Sequence, residues 1–105
     1  MVQTTNKNIK IVKNFKKNLE KFGIEKMIFF GSRARGDFNS DSDFDIIAVS
    51  KNFEGIKLSE RPLKVYLSWN EDFPLEVICY TPEEFLRLKE KIGIVQEAVR
   101  EGIEI

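Results

Sequence analysis

The sequence has no histidine and only one cysteine, and these shortages exclude several kinds of catalytic site. Without histidine, neither a Ser-His nor a Cys-His pair can activate a nucleophile. Cys79 has no partner for an internal disulfide, and it lies in an apolar run where a core residue belongs. A chain without disulfides fits a reducing compartment, so we expect a cytoplasmic protein.

The sequence also lacks long hydrophobic runs and an excess of either charge. No apolar stretch approaches the roughly 18 residues that a membrane span needs. The polar segment Met1–Lys7 does not have the apolar region of a signal peptide. With 105 residues and a formal net charge of zero, the chain has room for one domain. We therefore expect a single domain over residues 1–105 that makes no contact with membranes.

Charge is unevenly distributed along the chain although its sum is zero. Up to Arg35 there are nine Lys or Arg against two Glu, whereas Asp37 to Glu84 carries eleven acids against four bases. The basic part is the side expected to face anions or an acidic partner. The lysines Lys10, Lys13, Lys17 and Lys21 are more simply explained as the solvated face of a helix. We do not expect direct binding to nucleic acid.

Hydrophobic periodicity and turn residues predict alternating helices and strands. The alternation indicates an α/β or α+β class, with a small mixed β-sheet flanked by helices. Helices are predicted over Asn8–Phe22, over Ile56–Trp69 with Pro62 at its start or at a kink, from Pro82 to a break at Gly93, and over Ile94–Glu101. Strands are predicted over Lys26–Phe30, Asp43–Ser50 and Leu75–Tyr80, with Ile103–Ile105 as an edge strand.

The second predicted strand, a short distance after the first, begins with a pair of aspartates. Side chains alternate across a strand, so Asp43 and Asp45 point to the same face. Neighbouring carboxylates repel each other and raise each other's pKa unless a cation lies between them. All-oxygen ligands favour Mg²⁺, with Mn²⁺ as the alternative. The pair therefore predicts a divalent metal site.

The turn between these strands has the residues of a phosphate site. Gly31 allows the backbone to approach a ligand closely, and Ser32 offers a hydroxyl and an N–H where a short helix can begin. Arg33 and Arg35 add positive charge that suits a polyphosphate. Together with the aspartates, the turn predicts a site for a metal and a triphosphate.

A third carboxylate lies in the last of the three main strands. Glu76 is the only acid in Leu75–Tyr80, and a lone carboxylate among apolar neighbours is costly unless it is paired, exposed or bound to a metal. Beside Asp43 and Asp45 it would complete a cluster in which two carboxylates hold metals and the third helps to activate a hydroxyl. A glutamate that is merely exposed at the sheet edge is the alternative.

The combined pattern resembles the nucleotidyltransferase superfamily of polymerase β, and most closely its minimal nucleotidyltransferase branch. The pattern is Gly31-Ser32, ten residues, Asp43-x-Asp45 and a later strand with Glu76. The resemblance covers nearly the whole chain, including the leading helix, the Thr81-Pro82-Glu83-Glu84 turn and the Glu101-Gly102-Ile103 ending. It implies the polymerase-β-type fold and Mg²⁺-dependent transfer of AMP from ATP to a tyrosine of a helical HEPN toxin, which silences that RNase. The chain would then be the antitoxin of a toxin–antitoxin pair.

The resemblance also implies roles for individual residues. Gly31 and Ser32 would hold the triphosphate, Asp43 and Asp45 would hold two Mg²⁺ ions, and Glu76 would take the third position, which is commonly Asp in this superfamily. Arg35 would lie near the phosphates or the acceptor. Because no second domain follows to close over the nucleotide, the acceptor protein or a second copy of this chain would complete the site.

Other interpretations of the same residues are weaker but define alternatives. The series Asp37-x-Asn39-x-Asp41 imitates a calcium loop, yet Ser42 and Ala48 stand where that loop needs Gly and Glu. No P-loop sequence is present. The functional alternative is a non-catalytic binding module that neutralises a HEPN RNase by contact. Transfer to a small molecule such as an aminoglycoside is less favoured, since the chain lacks an added domain for an acceptor pocket.

Overall fold

The computed structural model describes residues 2–105, with side chains described from residue 6 onward. The predicted α/β class is confirmed: helices flank a small mixed sheet. The helices are α1 (Val2–Asn18), α2 (Ser32–Arg35), α3 (Arg61–Tyr66), α4 (Pro82–Leu88) and α5 (Ile94–Glu101). The strands are β1 (Lys26–Phe30), β2 (Phe44–Val49), β3 (Leu75–Tyr80) and β4 (Ile103–Glu104), and short 3₁₀ turns span Glu20–Phe22 and Lys51–Phe53.

The sheet has the strand order β3-β2-β1-β4. Strands β2 and β3 are parallel, whereas β1 is antiparallel to both β2 and β4. A parallel pair needs a crossover, and the segment that contains α3 provides it. In this register Asp45 lies between Phe30 of β1 and Glu76 of β3. The predicted edge strand at the end of the chain is confirmed.

Apolar side chains cover both faces of the sheet. Alternation along β2 sends Phe44, Ile46 and Ala48 to one face and Ile47 and Val49 to the other. Among the described residues no helix is both long and apolar enough to cross a bilayer. The first face packs on α1 and α3 through Val12, Phe15 and Val65, and on Leu19 directly after α1. The second face packs on α4 and α5 through Phe85, Val95 and Ala98.

Three predicted helices differ from the observed ones, and one of them is α4, which ends at Leu88, before the predicted break at Gly93. Helix α1 begins at Val2 instead of Asn8 and ends at Asn18, before the 3₁₀ turn. The predicted helix Ile56–Trp69 is wrong except for its centre, where Pro62 lies in the first turn of α3. Trp69 leaves the helical path because its indole packs against Phe15 and Phe44, and its Nε1 donates to a backbone carbonyl 2.8 Å away. Tertiary packing therefore overrides the helical pattern.

A charged pair fixes the end of β3 that lies away from the carboxylates. Thr81 caps α4 in a reciprocal capping box with Glu84. Arg61 of α3 donates to Glu84 Oε1 at 2.6 Å and to the carbonyl of Cys79 at 3.1 Å. The hydrogen bond from Arg61, helped by those with Thr81, lowers the pKa of Glu84 although burial opposes the shift. Helices α3 and α4 are thus tied to the strand that carries Glu76.

Candidate active site

Three carboxylates converge at one end of the sheet. One oxygen from each of Asp43, Asp45 and Glu76 lies within 4.8 Å of the others. Parallel pairing of β2 with β3 sets Asp45 opposite Glu76, and strand alternation turns Asp43 toward the same side as Asp45. The structure therefore brings together the acids that the sequence indicates, while their chemical roles stay predictions.

The electrostatics of the cluster favour a bound cation. Asp45 is half-buried, whereas Asp43 and Glu76 are exposed. Burial, followed by the charges of Glu76 and Asp43, raises the pKa of Asp45 to about 6, while the charge of Arg35 partly opposes this shift. A divalent cation would relieve this repulsion, and three carboxylates are a donor set that fits Mg²⁺ or Mn²⁺. The residues present thus fit the predicted metal.

Gly31 joins β1 to α2 directly beside Asp45. Its φ of +82° lies in the left-handed region, which side-chain-bearing residues rarely adopt. A Cβ added there would lie 2.3 Å from Oδ2 of Asp45. Glycine is therefore required at this position for two reasons, namely the backbone conformation and the space that the carboxylate occupies. The turn backbone consequently approaches the candidate metal site as closely as the sequence predicts.

Helix α2 presents its first turn next to the cluster. It begins at Ser32, and its hydrogen bonds begin when Ala34 and Arg35 donate to the carbonyl of Gly31. The N–H groups of Ser32 and Arg33 precede these bonds, at the end of the helix that favours anions. The predicted phosphate-binding role of Gly31 and Ser32 is compatible with this placement and stays a prediction.

The structure gives no support to the predicted contact of Arg33 with the nucleotide, which stays untested. Its side chain is only 2% exposed and points into the protein. Its Nε donates to the carbonyl of Ser42 at 2.8 Å, and Nη2 lies 3.4 and 3.3 Å from the carbonyls of Asn39 and Ser40. Burial lowers the pKa of Arg33, and the charge of Asp43 partly opposes that shift. Arg33 is therefore engaged by the protein itself.

Arg35 differs from Arg33 because it is exposed. Its Nε lies 3.2 Å from Oδ1 of Asp37 in an ion pair at the surface. Its charge is also felt by Asp45, whose pKa it lowers. Exposed pairs of this kind are weak and exchange readily with other anions. Arg35 can therefore reach a phosphate group without the loss of a buried contact.

The loop from Asp37 to Ser42 contains contacts that sequence reasoning missed. Asn39 Oδ1 accepts a hydrogen bond from the N–H of Asp41 at 2.8 Å, and Ser42 Oγ accepts one from the N–H of Asn39. These side chains build a turn, and within residues 6–105 only Asp43, Asp45 and Glu76 form a carboxylate cluster. The short polar spacing could have indicated such turns. The calcium-loop alternative is thereby left without support.

Comparison with known proteins identifies a matching family, a related sequence and a related crystal structure. Residues 9–100 match the family model described as "Nucleotidyltransferase domain". A protein of Methanocaldococcus jannaschii named "Putative protein adenylyltransferase" is 28% identical over 100 residues, which are 92% of this chain and 97% of the relative. A crystal structure of "a putative nucleotidyltransferase" from Sulfolobus solfataricus has a TM-score of 0.64 and 27% identity, and the match covers 87% of this chain and 82% of that one.

Proposed function

This chain belongs to the nucleotidyltransferase domain family, and we propose that it transfers AMP from ATP to a hydroxyl of another protein. The observation that carries the proposal is the three-carboxylate cluster beside the Gly31 turn. A relative that is named for protein adenylylation supports a protein acceptor. The resemblance to the minimal nucleotidyltransferase branch supports a tyrosine of a HEPN toxin as the acceptor, with this chain as antitoxin.

In the proposed mechanism, the carboxylates bind the metal and the Gly31 turn binds the triphosphate. Asp43, Asp45 and Glu76 would hold Mg²⁺, two ions in the proposed site, and the bound metal would neutralise phosphate charge and favour loss of the hydroxyl proton. Backbone N–H groups at Gly31 and Ser32 would bind the triphosphate, and Arg35 would add charge beside it. These groups orient the α-phosphate toward the acceptor.

The transfer step needs a single nucleophilic displacement. The acceptor oxygen forms a bond to the α-phosphorus, the bond from that phosphorus to the bridging oxygen breaks, and pyrophosphate leaves. Glu76 receives the hydroxyl proton, since it is exposed and lies on the side of the cluster away from β1. Because Asp43 and Glu76 are both exposed, the site admits the side chain of a large partner. The acceptor protein or a second copy of this chain would cover the nucleotide.

Intact mass spectrometry tests the proposal. A HEPN-domain protein from the same organism is incubated with this chain, Mg²⁺ and ATP, and its mass is followed with time. We expect the HEPN protein to gain mass in AMP units, and peptide mapping to locate the adduct on a tyrosine. The Asp43→Asn variant should give no gain because it removes one metal ligand.

The matched control is Glu90→Gln, which removes a negative charge from an exposed position outside the cluster. This variant should transfer AMP at the rate of the unsubstituted chain. AMP transfer that persists in a folded Asp43→Asn variant would contradict the metal assignment. A stable complex without any mass gain would instead favour the non-catalytic binding module.

A further inference from the structure

We infer that Arg33 is a positioning residue, which holds the loop of residues 37–42 so that Asp43 reaches the carboxylate cluster. The inference rests on the proposed function, because it takes the cluster to be a metal site. It assigns to Arg33 no contact with ATP or metal. The Arg33 side chain connects the Gly31 turn to Asp43, a proposed metal ligand.

Three backbone carbonyls face the guanidinium of Arg33. Nε and Nη2 of Arg33 point at the carbonyls of Asn39, Ser40 and Ser42, over distances from 2.8 to 3.4 Å. The last of these carbonyls belongs to the residue directly before Asp43. The loop has no regular secondary structure of its own, so these bonds fix where its end enters β2.

Three aromatic rings pack around the guanidinium. The Cζ atom of Arg33 lies 4.8 Å from the ring centre of Phe38, 4.7 Å from that of Phe44 and 4.6 Å from that of Phe73. Phe38 lies in the loop, Phe44 follows Asp43, and Phe73 comes just before β3. Aromatic faces attract a planar cation, and so they hold the side chain in one orientation.

The helix from which Arg33 extends is itself bonded to α1. The buried Asn8 of α1 donates from Nδ2 to the carbonyl of Arg33 at 3.3 Å. Helix α2 is thus held against α1, and the Arg33 side chain in turn bonds the loop to α2. Because α2 also begins at the Gly31 turn, its position relates the proposed phosphate site to Asp43. Displacement of either would misalign the triphosphate with the metal ligands.

Lysine cannot replace arginine in this role. Its ammonium group is a point charge, whereas the guanidinium is a planar fork that bonds several carbonyls while it stacks on rings. In Arg33→Lys we therefore expect the dissociation constant for Mn²⁺ to rise about 10- to 100-fold. Losses of this size are typical when a residue that orients a metal ligand, without touching the metal, is replaced. Hydrogen exchange should quicken at residues 39–43 and stay slow in β1.

The experiment measures Mn²⁺ binding by calorimetry together with amide hydrogen exchange. Arg87→Lys is the matched control, since Arg87 is exposed on α4, and it should bind Mn²⁺ as the unsubstituted chain does. Equal Mn²⁺ affinity and equal loop protection in Arg33→Lys would overturn the inference alone. Failure of the unsubstituted chain to bind Mn²⁺ would overturn the proposed function and the inference with it.

A second variant protects the test against misfolding of Arg33→Lys. Asn39→Ala removes the exposed side-chain acceptor that shapes the same loop and leaves the core intact. If loop order positions Asp43, Asn39→Ala should weaken Mn²⁺ binding in the same direction but by a smaller factor. Mn²⁺ binding that is unaffected by this substitution, with the loop shown to exchange faster, would contradict the inference.

Discussion

Asp45 ionises in an environment that disfavours its negative charge. Burial and two neighbouring carboxylates raise its pKa to about 6, above the ordinary range for aspartate. The unfolded chain loses this proton at lower pH, so the ionised side chain destabilises the metal-free fold. The penalty is absent at acid pH, grows between the ordinary aspartate pKa and about 6, and is complete above that pH. A metal ion would relieve it.

The first prediction at this scale concerns Asp45→Asn in the absence of metal. Removal of the charge should stabilise the fold at neutral pH by about 1 kcal/mol, a value that allows for solvent screening of a half-exposed group. The gain should vanish as the pH falls toward the ordinary pKa of aspartate. Urea unfolding across this pH range measures it, with Asp72→Asn at an exposed position as control. A loss of stability at neutral pH would refute the conclusion that the ionised Asp45 side chain destabilises the metal-free fold.

The three acids could be identified from sequence, but the role of Arg33 could not. Each acid interrupts or borders an apolar strand, and strand periodicity states which face it occupies. An arginine beside a glycine turn has the same local pattern whether it points outward or inward. The inward orientation depends on Phe73, which is forty residues away in sequence and adjacent only in the fold.

The turn between β1 and α2 is the element on which the site depends most. It brings the backbone against Asp45, since a Cβ at Gly31 would meet the carboxylate. The short elements β1, β2 and β3 followed from sequence because buried strands are compact apolar runs bounded by turn residues. Helix α3 did not, because the periodic run around it is interrupted by core contacts of Trp69.

A pair of alanine substitutions tests this turn. Gly31 and Gly55 both have positive φ, at +82° and +79°, but only at Gly31 would the added Cβ meet another atom. Each substitution should therefore cost roughly 1–2 kcal/mol of backbone strain. Only Gly31→Ala should also weaken Mn²⁺ binding, because it displaces the Asp45 carboxylate. Equal Mn²⁺ affinities in the two variants would show that the close approach has no functional consequence.

At the scale of the whole molecule, a separate apolar layer covers each face of the sheet, and the candidate active site lies at one end of its strands. Helices α1 and α3 cover one face, and α4 and α5 cover the other, while the carboxylates stand where β2 and β3 begin. Near this end, Arg35 in the basic first third of the chain pairs with Asp37, two residues further on, where the acidic centre begins. The HEPN partner and the cytoplasmic location stay predictions, since partner and location depend on molecules outside this fold.

The central claim is that this fold transfers a nucleotidyl group, and labelled ATP tests it most directly. The chain, Mg²⁺ and the HEPN acceptor are incubated with ATP that carries its label on either the α- or the γ-phosphate. We expect the α-label on the acceptor protein and the γ-label in released pyrophosphate. A γ-label on the acceptor would contradict the claim, because it would show phosphoryl transfer in place of nucleotidyl transfer.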